Sequence, residues 1–480
     1  MKFITSLLLL VALSMQAQDN TRFYATMSLS DAKELEKDVP GELEILAEYR
    51  NEAAVYMTTF ASHKLRERVL VHGPGYIFKP SLEEAIRDLE APIRNPNPNR
   101  IAFTITEDVI VNQILELINT QNIEDHIIDL ENYVTRYHDR ASATQAAIDL
   151  KAKWEAMAAS YGRVDVSVRL YNHVSTNMPS VIMTITGAEF PNEFVIVGGH
   201  LDSTSNQGNN NAPGADDDAS GIATITEAVR SLFEVGFVPK RTIEVMAYAA
   251  EEIGLVGSAE IANEYDNNNI NVVAVTQFDM TNYNGSANDV SFITDFTNST
   301  LNDFLMDLLD HYNDSGTHQV TYGTSLCNYG CSDHASWYNE GYMAAFPFEA
   351  NFGQHNPNIH SPNDTFSISG TAEHATKFAK LCAEFLIESA KSDGILSIDN
   401  AIVSTIFVKV DNNMLIYNWD ATEEYFDSIR LYDLFGRELI RKDNIAARGI
   451  IPLQNISAGV YIVSFITERN ELISKKIMVE

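Results

Sequence analysis

Between residues 103 and 391, apolar runs of strand length alternate with longer segments in which apolar residues recur at helical spacing. The runs that predict strands are 181–187, 194–199, 241–250 and 272–280. The segments that predict helices are 106–119, 142–160, 219–233, 300–313 and 373–390. Apolar strands that alternate with amphipathic helices are typical of a sheet covered on both faces, so the pattern predicts an α/β domain.

The pattern changes on either side of this domain. From residue 392 to 480 short strand-like runs are separated by turns without a helical segment, which predicts a small all-β sandwich. Residues 18–102 form a mixed segment that ends in RNPNPNR (94–100). Alternating Asn-Pro cannot continue a helix or a central strand, so this stretch is predicted to be a linker.

Residues 1–17 combine one lysine, an apolar run and small residues near Ala17, which predicts a secretory signal peptide cleaved around Ala17–Gln18. An uncleaved membrane anchor is less favoured because the apolar run is too short to span a bilayer. No later segment approaches 18 continuous apolar residues. We therefore expect an exported protein without a membrane span.

Charge and cysteine content narrow the function classes. The chain has 33 basic and 66 acidic residues and a formal net charge of −33, which disfavours binding to nucleic acid or to an anionic membrane surface. Three cysteines do not make a disulfide framework. Cys327 and Cys331 flank Asn-Tyr-Gly and can close a local disulfide in an oxidising compartment, whereas Cys382 is expected to be a buried thiol.

Groups that can bind a metal or move a proton follow three of the apolar runs. His200 comes after one run, Glu251 and Glu252 after another, and Asp279 after a third. Open α/β sheets place their ligand sites at the carboxyl ends of strands, so these side chains are expected to share one edge of the sheet.

Three consecutive aspartates occur in GADDDASG (214–221). A solvated acidic turn is the simplest interpretation, but a helix N-terminus or a divalent cation would also relieve the repulsion. The loop HNPNIHSPNDT (355–365) adds two histidines. Histidine with aspartate and glutamate suits zinc, with manganese or cobalt as alternatives.

These stretches together resemble the secreted bacterial leucyl aminopeptidases of the two-zinc metallopeptidase family. The resemblance covers about residues 103–391 and rests on GGHLDS, APGADDDASG, AYAAEEIGLVGS, FDMTNY, CNYGCSDHASW and the loop that contains His360. It implies the zinc aminopeptidase/phosphorylase-like fold, with a mixed β-sheet between helices. It also implies a monomeric catalytic domain and peptide substrates with a free N-terminus.

The resemblance also implies roles for individual residues. Two zinc ions would be held by His200, Asp217, Glu252, Asp279 and His360. The carboxylate of Asp217 would bridge the ions; His200 and Asp279 would share one ion, and Glu252 and His360 the other. Glu251 would be the general base, and Asp202 would orient the His200 ring. Asp216 and Asp218 are expected to be turn or cap residues.

A pocket for the N-terminal side chain is implied at positions that match the family. These positions are Met280, Ile293, Tyr329, Phe346, Phe348, Phe352 and Ile359. Ordinary core packing is the alternative for each of them, and His355 stands where relatives often have an aromatic residue. From Thr242 to Thr376 there is no lysine or arginine, which disfavours a carboxypeptidase or phosphodiesterase because each needs a cationic clamp for its anion.

The flanking segments have resemblances of their own. Residues 392–480 resemble the sorting domain of the type IX secretion system, through SIRLYDLFGREL, LQNISAGVYIVSF and the terminal KKIMVE. This implies export by that machinery, followed by release or attachment to the cell surface; a carbohydrate-binding sandwich is the alternative. Residues 18–102 are predicted to be a propeptide and linker by their position.

Three other functions compete with a two-zinc aminopeptidase. A glutaminyl cyclase shares the fold but uses one zinc, and the five apparent ligands count against it. A catalytically inactive binding module of the same fold is expected to have lost Glu251 or a ligand, and neither is missing. A purely adhesive surface protein leaves the catalytic motifs unexplained.

Overall fold

The computed structural model describes residues 21–68, 72–90, 103–395, 407–411, 414–419, 426–433, 437–454, 456–457, 459–467 and 472–479. The predicted signal peptide and the Asn-Pro linker lie outside these residues. Within them, no helix has both the length and the hydropathy that crossing a bilayer requires.

The N-terminal segment folds into a four-stranded antiparallel sheet with helices. Its strands are β1 (Arg22–Ser28), β2 (Leu43–Tyr49), β3 (Glu52–Thr58) and β4 (Ile77–Lys79), in the order β2-β3-β1-β4. Its helices are α1 (Leu29–Asp38), α2 (Thr59–Arg68) and α3 (Leu82–Glu90). Ala25, Leu35 and Val55 are buried in a separate core, so this predicted propeptide is a folded unit.

The central part contains the α/β domain predicted for residues 103–391. Its helices are α4 (Asp108–Leu115), α5 (Thr120–Glu131), α6 (Ala141–Ser160), α7 (Ala219–Val235), α8 (Val256–Asn267), α9 (Ser299–Tyr312), α10 (His334–Asn339) and α11 (Glu373–Ala390). Its strands are β5 (Val166–Tyr171), β6 (Ser180–Ile185), β7 (Phe190–His200), β8 (Phe237–Pro239), β9 (Arg241–Tyr248), β10 (Asn271–Gln277), β11 (Val290–Ile293), β12 (Tyr322–Ser325), β13 (Ala344–Ala345), β14 (Pro347–Phe348) and β15 (Ser392–Ile395). Strand β15 pairs with β8 and extends this domain beyond the predicted boundary.

A six-stranded mixed sheet organises this domain, in the order β13-β10-β7-β9-β6-β5. Strand β7 runs parallel to both β9 and β10, whereas β6 is antiparallel to its two neighbours, β9 and β5. Because side chains alternate along a strand, Val195 and Val197 face a core that includes α7 and α11, while Ile196 faces another that includes α8. Helices therefore cover both faces, which confirms the predicted fold class. The parallel alignment brings the carboxyl ends of β7, β9 and β10 to one edge.

The C-terminal part is all β in the residues that the structure describes, as predicted. Its strands are β16 (Phe407–Asp411), β17 (Met414–Asn418), β18 (Phe426–Tyr432), β19 (Glu438–Asp443), β20 (Arg448–Pro452), β21 (Gly459–Thr467) and β22 (Leu472–Val479). They form two sheets, β16-β17-β20 and β19-β18-β21-β22. Tyr417, Trp419, Phe426 and Phe465 contribute aromatic rings to one buried core shared by both sheets.

Candidate active site

The three strand ends deliver the predicted groups to one place. His200 is the last residue of β7, and Glu251 and Glu252 begin a short 3₁₀ helix just after β9. Asp279 follows the end of β10. All four side chains are buried, so the placement expected from the strand pattern is present in the structure.

Asp217 joins the two halves of this cluster. One of its oxygens, Oδ1, lies 2.9 Å from His200 Nε2, which is also 3.4 Å from Asp279 Oδ1. The other oxygen, Oδ2, lies 3.0 Å from His360 Nε2, which is 3.2 Å from Glu252 Oε2. The five predicted ligands therefore form two adjacent groups that share one carboxylate.

The donor atoms of these groups fit a metal. Among the described residues, Asp217 Oδ2, Asp279 Oδ1 and His360 Nε2 are buried without a partner in hydrogen-bond geometry. Leaving such atoms unsatisfied in the interior is costly. Within each group the candidate ligand atoms lie no more than 4.8 Å apart, and a divalent cation bound among them would satisfy them together. Imidazole nitrogens with carboxylate oxygens are the donors that zinc accepts.

Asp202 supports both halves of the site. Its carboxylate accepts hydrogen bonds from the backbone N–H groups of Glu251 (3.0 Å) and Glu252 (3.2 Å). The ring of His200 donates from Nδ1 to the backbone oxygen of Asp202 (3.1 Å), and the Asp202 carboxylate is 3.5 Å from the same nitrogen. Asp202 therefore contacts the ring as expected, and it also fixes the turn that carries both glutamates.

Glu251 points an unsatisfied oxygen into the site. Its Oε1 is buried and, in the described part of the chain, accepts no hydrogen bond. Burial raises the pKa of this carboxyl well above its usual range; His200 acts in the opposite direction, and repulsion from Glu252 adds to the increase. A carboxylate in this position is a suitable proton acceptor and donor for a reacting water.

The aspartate run is resolved into three different roles. Asp217 points into the cluster. Asp218 caps α7 by accepting from Gly221 N (2.8 Å) and also accepts from His200 N (2.9 Å). Asp216 accepts from Asn282 N (3.1 Å), and burial raises its pKa to about 6. The outer aspartates thus bind backbone N–H groups, as expected of turn and cap residues, while the peptide bond between Asp217 and Asp218 is cis.

Two residues that the sequence analysis missed hold this run in place. The carboxylate of Asp364 accepts from the backbone N–H groups of Asp216 and Asp217, each at 3.1 Å. The buried guanidinium of Arg136 donates to the carbonyl oxygens of Leu201 (2.8 Å), Pro213 (2.6 Å) and Gly214 (2.8 Å), and also to Leu130 O. Arg136 lies outside every quoted motif, whereas Asp364 lies in the loop 355–365 that also carries His360, although the sequence pattern singles out only the two histidines of that loop.

The seven predicted pocket residues lie together, and two of them, Met280 and Ile359, are next in sequence to the candidate metal ligands Asp279 and His360. Met280, Ile293, Phe346, Phe348 and Ile359 form one buried cluster with Cys327 and Cys331, and Tyr329 and Phe352 pack against it. The two cysteines form the predicted disulfide, with their Cα atoms 6.2 Å apart. His355 packs its ring against Phe348 and Phe352 at 5.6 and 5.4 Å. Burial lowers the pKa of His355 to about 4, so the ring is neutral at pH 7.

Comparison with known proteins places this site in a family. The family model described as Peptidase family M28 matches residues 180–386. Leucine aminopeptidase 1 of Paracoccidioides brasiliensis (strain Pb03) is 33% identical over 313 residues, which cover 62% of this chain and 78% of that protein. The probable leucine aminopeptidase of Arthroderma benhamiae is 34% identical over 302 residues, covering 61% and 80%. The chain belongs to peptidase family M28.

The fold supports the same assignment. The crystal structure of the LapA aminopeptidase of Legionella pneumophila superposes with a TM-score of 0.67 at 31% identity and covers 77% of this chain and 99% of that one. This M28 peptidase is thus an aminopeptidase and, by its family, a metalloexopeptidase. The matched residues 180–386 include every predicted metal ligand.

Two basic residues that flank the catalytic motifs of this M28 peptidase pair with carboxylates outside the candidate site. Arg230 pairs with Glu227 (2.8 Å) and also with Glu234, and Lys240 pairs with Glu189 at 3.0 Å. Both residues precede the stretch from Thr242 to Thr376 that lacks lysine and arginine. Because each of the two is paired with these carboxylates, neither is available to bind a substrate anion at the site.

One further residue reaches the cluster from the N-terminal unit. His72 Nε2 lies 3.0 Å from Asp279 Oδ2, and the ring is completely buried. His72, His200, Asp217 and Asp279 together form one of the two groups of donor atoms. No sequence pattern points to this histidine, because it lies outside the segment that carries the catalytic motifs.

Proposed function

We propose that the protein is an exported aminopeptidase that uses two zinc ions to release hydrophobic, leucine-like residues from the N-terminus of peptides. His200, Asp217 and Asp279 would hold one ion, and Asp217, Glu252 and His360 the other. Glu251 is the general base in this proposal, and Asp202 is a positioning residue for the turn that carries it.

One observation carries the proposal of two ions. The two oxygens of Asp217 face different histidines, with Oδ1 2.9 Å from His200 and Oδ2 3.0 Å from His360. A carboxylate that bound a single ion would leave one of these histidines without a role. Each histidine also has its own acidic neighbour, Asp279 in one group and Glu252 in the other.

The chemistry follows from the charges around the site. When bound, a pair of zinc ions supplies Lewis acidity that polarises the scissile carbonyl and acidifies the attacking water. Glu251 takes the proton from this water at its unsatisfied Oε1 and returns it to the leaving amine. The hydrogen bonds from the Glu251 and Glu252 backbone to Asp202 keep the base and its neighbouring ligand in fixed relative positions.

The charge of the site and the apolar cluster beside it favour a substrate that has a free amine and an apolar N-terminal side chain. No lysine or arginine lies between Thr242 and Thr376, so a substrate carboxylate has no clamp in this stretch whereas a protonated amine meets acidic groups. The adjacent cluster of apolar and aromatic side chains suits a leucine-like residue. Relatives named leucine aminopeptidase agree with that preference.

The proposal that the protein is exported rests on residues 1–17 and 392–480. The apolar N-terminal run is that of a signal peptide, and residues 392–480 are proposed as a type IX sorting module whose partner is that secretion machinery. Two features agree with this assignment: an all-β sandwich and a disulfide in the catalytic domain. The protein would then be secreted or held at the cell surface.

The test uses purified segment 103–391, stripped of metal and titrated with zinc. We expect hydrolysis of leucine 4-nitroanilide to reach its maximum at two zinc ions per chain. N-acetyl-leucine 4-nitroanilide should react at least about 100-fold more slowly because it lacks the free amine. Maximal activity at one zinc, with cyclisation of N-terminal glutamine, would favour the cyclase alternative. Two bound ions without turnover of any peptide would favour an inactive binding module.

The pocket assignment makes a separate prediction. In Phe352→Ala we expect kcat/KM for leucine 4-nitroanilide to fall by about tenfold, and that for alanine 4-nitroanilide to fall much less, because a smaller side chain uses less of the apolar wall. Phe352 is half-buried and its ring lies 6.0 Å from Phe348. Phe190→Ala, at the exposed start of β7, is the matched control. Equal losses for both substrates would contradict the assignment.

A further inference from the structure

Two residues of the N-terminal unit, His72 and Gly73, lie against the candidate site of the catalytic domain. We infer that His72 is an additional ligand of the zinc ion held by His200 and Asp279, and that His72 and Gly73 occupy the position of a substrate's N-terminal residue. The uncleaved chain is therefore held inactive by its own N-terminal unit. This inference rests on the proposed two-zinc function and adds to it a mode of regulation.

The His72 ring is prepared for metal binding by its second nitrogen. Nδ1 lies 2.8 Å from the carbonyl oxygen of Cys331, and because a carbonyl only accepts, this nitrogen carries the proton. Nε2 of a neutral ring then presents a lone pair to the cluster. His200 has the same arrangement, with its Nδ1 donating to the backbone oxygen of Asp202. Within the described residues, His72 Nε2 has no partner in hydrogen-bond geometry.

The ring also fills the predicted substrate pocket. Its centroid lies 5.4 Å from that of Phe348 and 5.9 Å from that of Phe346, two of the proposed pocket residues. The hydroxyl of Tyr329, a third, donates to the backbone oxygen of His72. A substrate side chain cannot enter the space that this ring occupies.

The next residue brings the backbone against the proposed base. Gly73 has φ of +70°, and a Cβ atom built there would be 2.5 Å from Cys331 O and 3.1 Å from Glu251 Oε1. Only glycine allows this conformation and this close approach. The backbone therefore stands next to the oxygen that has to accept a proton from water during catalysis.

The chain that follows this contact is anchored both to the N-terminal sheet and to the catalytic domain. Strand β4 belongs to the folded N-terminal sheet, and Phe78 N donates to Gly254 O at 2.9 Å. Ile77 packs in a small apolar cluster with Leu255 and Ala335 of the catalytic domain. Because the blocking group is covalently tethered, its effective concentration is on the order of millimolar even before the anchoring contacts are counted.

The test compares four forms of the full chain: wild type, His72→Ala, Gly73→Val and His63→Ala. His72→Ala removes the ligand, whereas Gly73→Val leaves the ligand but makes its position sterically impossible. His63 lies on α2 and is exposed, so its variant is the matched control within the same unit. The measurements are the visible absorption spectrum of the cobalt-loaded chain, zinc retention against a chelator, and kcat/KM for leucine 4-nitroanilide.

We expect both His72→Ala and Gly73→Val to alter the cobalt spectrum and to release zinc at least about tenfold more readily, since each loses a ligand. The same variants should hydrolyse the substrate at least about tenfold faster than the wild type, while His63→Ala matches the wild type throughout. If the substitutions free the site, metal binding becomes weaker while activity rises. If they only destabilise the fold, metal binding and activity both fall.

Two results would overturn the inference: a cobalt spectrum that His72→Ala leaves unchanged, or a wild-type chain as active as both site variants. An altered spectrum in chains of which none hydrolyses a peptide would support His72 as a ligand and count against the proposed aminopeptidase activity instead. Failure of the inference about His72 can therefore be distinguished from failure of the proposed aminopeptidase function.

Discussion

Glu251→Gln in segment 103–391 is expected to lower kcat for leucine 4-nitroanilide by about a thousandfold, in the middle of the range for loss of a general acid–base. Glutamine has the same shape, so the backbone hydrogen bond from residue 251 to Asp202 remains. Its amide cannot take a proton from water, and the unsatisfied position at Oε1 is where that proton would go. Steady-state kinetics in excess zinc measure the effect.

The control for this substitution is Glu373→Gln. Glu373 is exposed in the first turn of α11, and its replacement should leave kcat unchanged. Zinc content measured by atomic emission should be equal in both variants and the wild type, because Glu251 belongs to neither group of candidate metal ligands. A Glu251→Gln enzyme that retained more than about a tenth of wild-type kcat would rule out this residue as the base.

The part of the site that sequence predicts well is the part built from strand ends. His200 ends β7 and Asp279 follows β10, and the alignment of parallel strands alone requires these side chains to share an edge. The same holds for the turn after β9 that carries Glu251 and Glu252. In these cases a local pattern, an apolar run followed by a polar group, contains the geometric information.

Contacts between distant segments carry no such local signal. Arg136 binds the carbonyls of residues far along the chain, and its surroundings in the sequence resemble any surface arginine. Asp364 fixes the aspartate run from a loop near the end of the domain. His72 belongs to a different folded unit altogether. Their roles depend on how loops pack against one another, which periodicity does not encode.

The role of Asp202 shows the limit of carrying a role over from a resemblance. The expected contact with the His200 ring is present, but the hydrogen bond from Nδ1 goes to the backbone oxygen of Asp202. The carboxylate instead accepts from two consecutive backbone N–H groups, at 3.0 and 3.2 Å. The sequence correctly predicted that Asp202 contacts His200. Only the structure shows which contacts its side chain makes and which its backbone makes.

Asp217→Asn is expected to have the second large effect, and it acts on the metals rather than on the proton. The aspartate presents one oxygen to each histidine, at 2.9 and 3.0 Å, and an asparagine replaces one of these oxygens with an NH₂ group that repels a cation. We expect segment 103–391 with this change to bind at most one zinc tightly and to lose at least about 100-fold in kcat. Isothermal titration with zinc measures the number of sites.

The neighbouring Asp216→Asn is the matched control, since it makes the same chemical change one residue away. Its carboxylate binds the Asn282 backbone and the Asn356 side chain rather than the cluster, so both zinc sites should remain. Two tight sites in Asp217→Asn would mean that the ions do not share this carboxylate. The two groups of ligands would then have to act as independent sites, and a water activated between two ions would no longer explain the reaction.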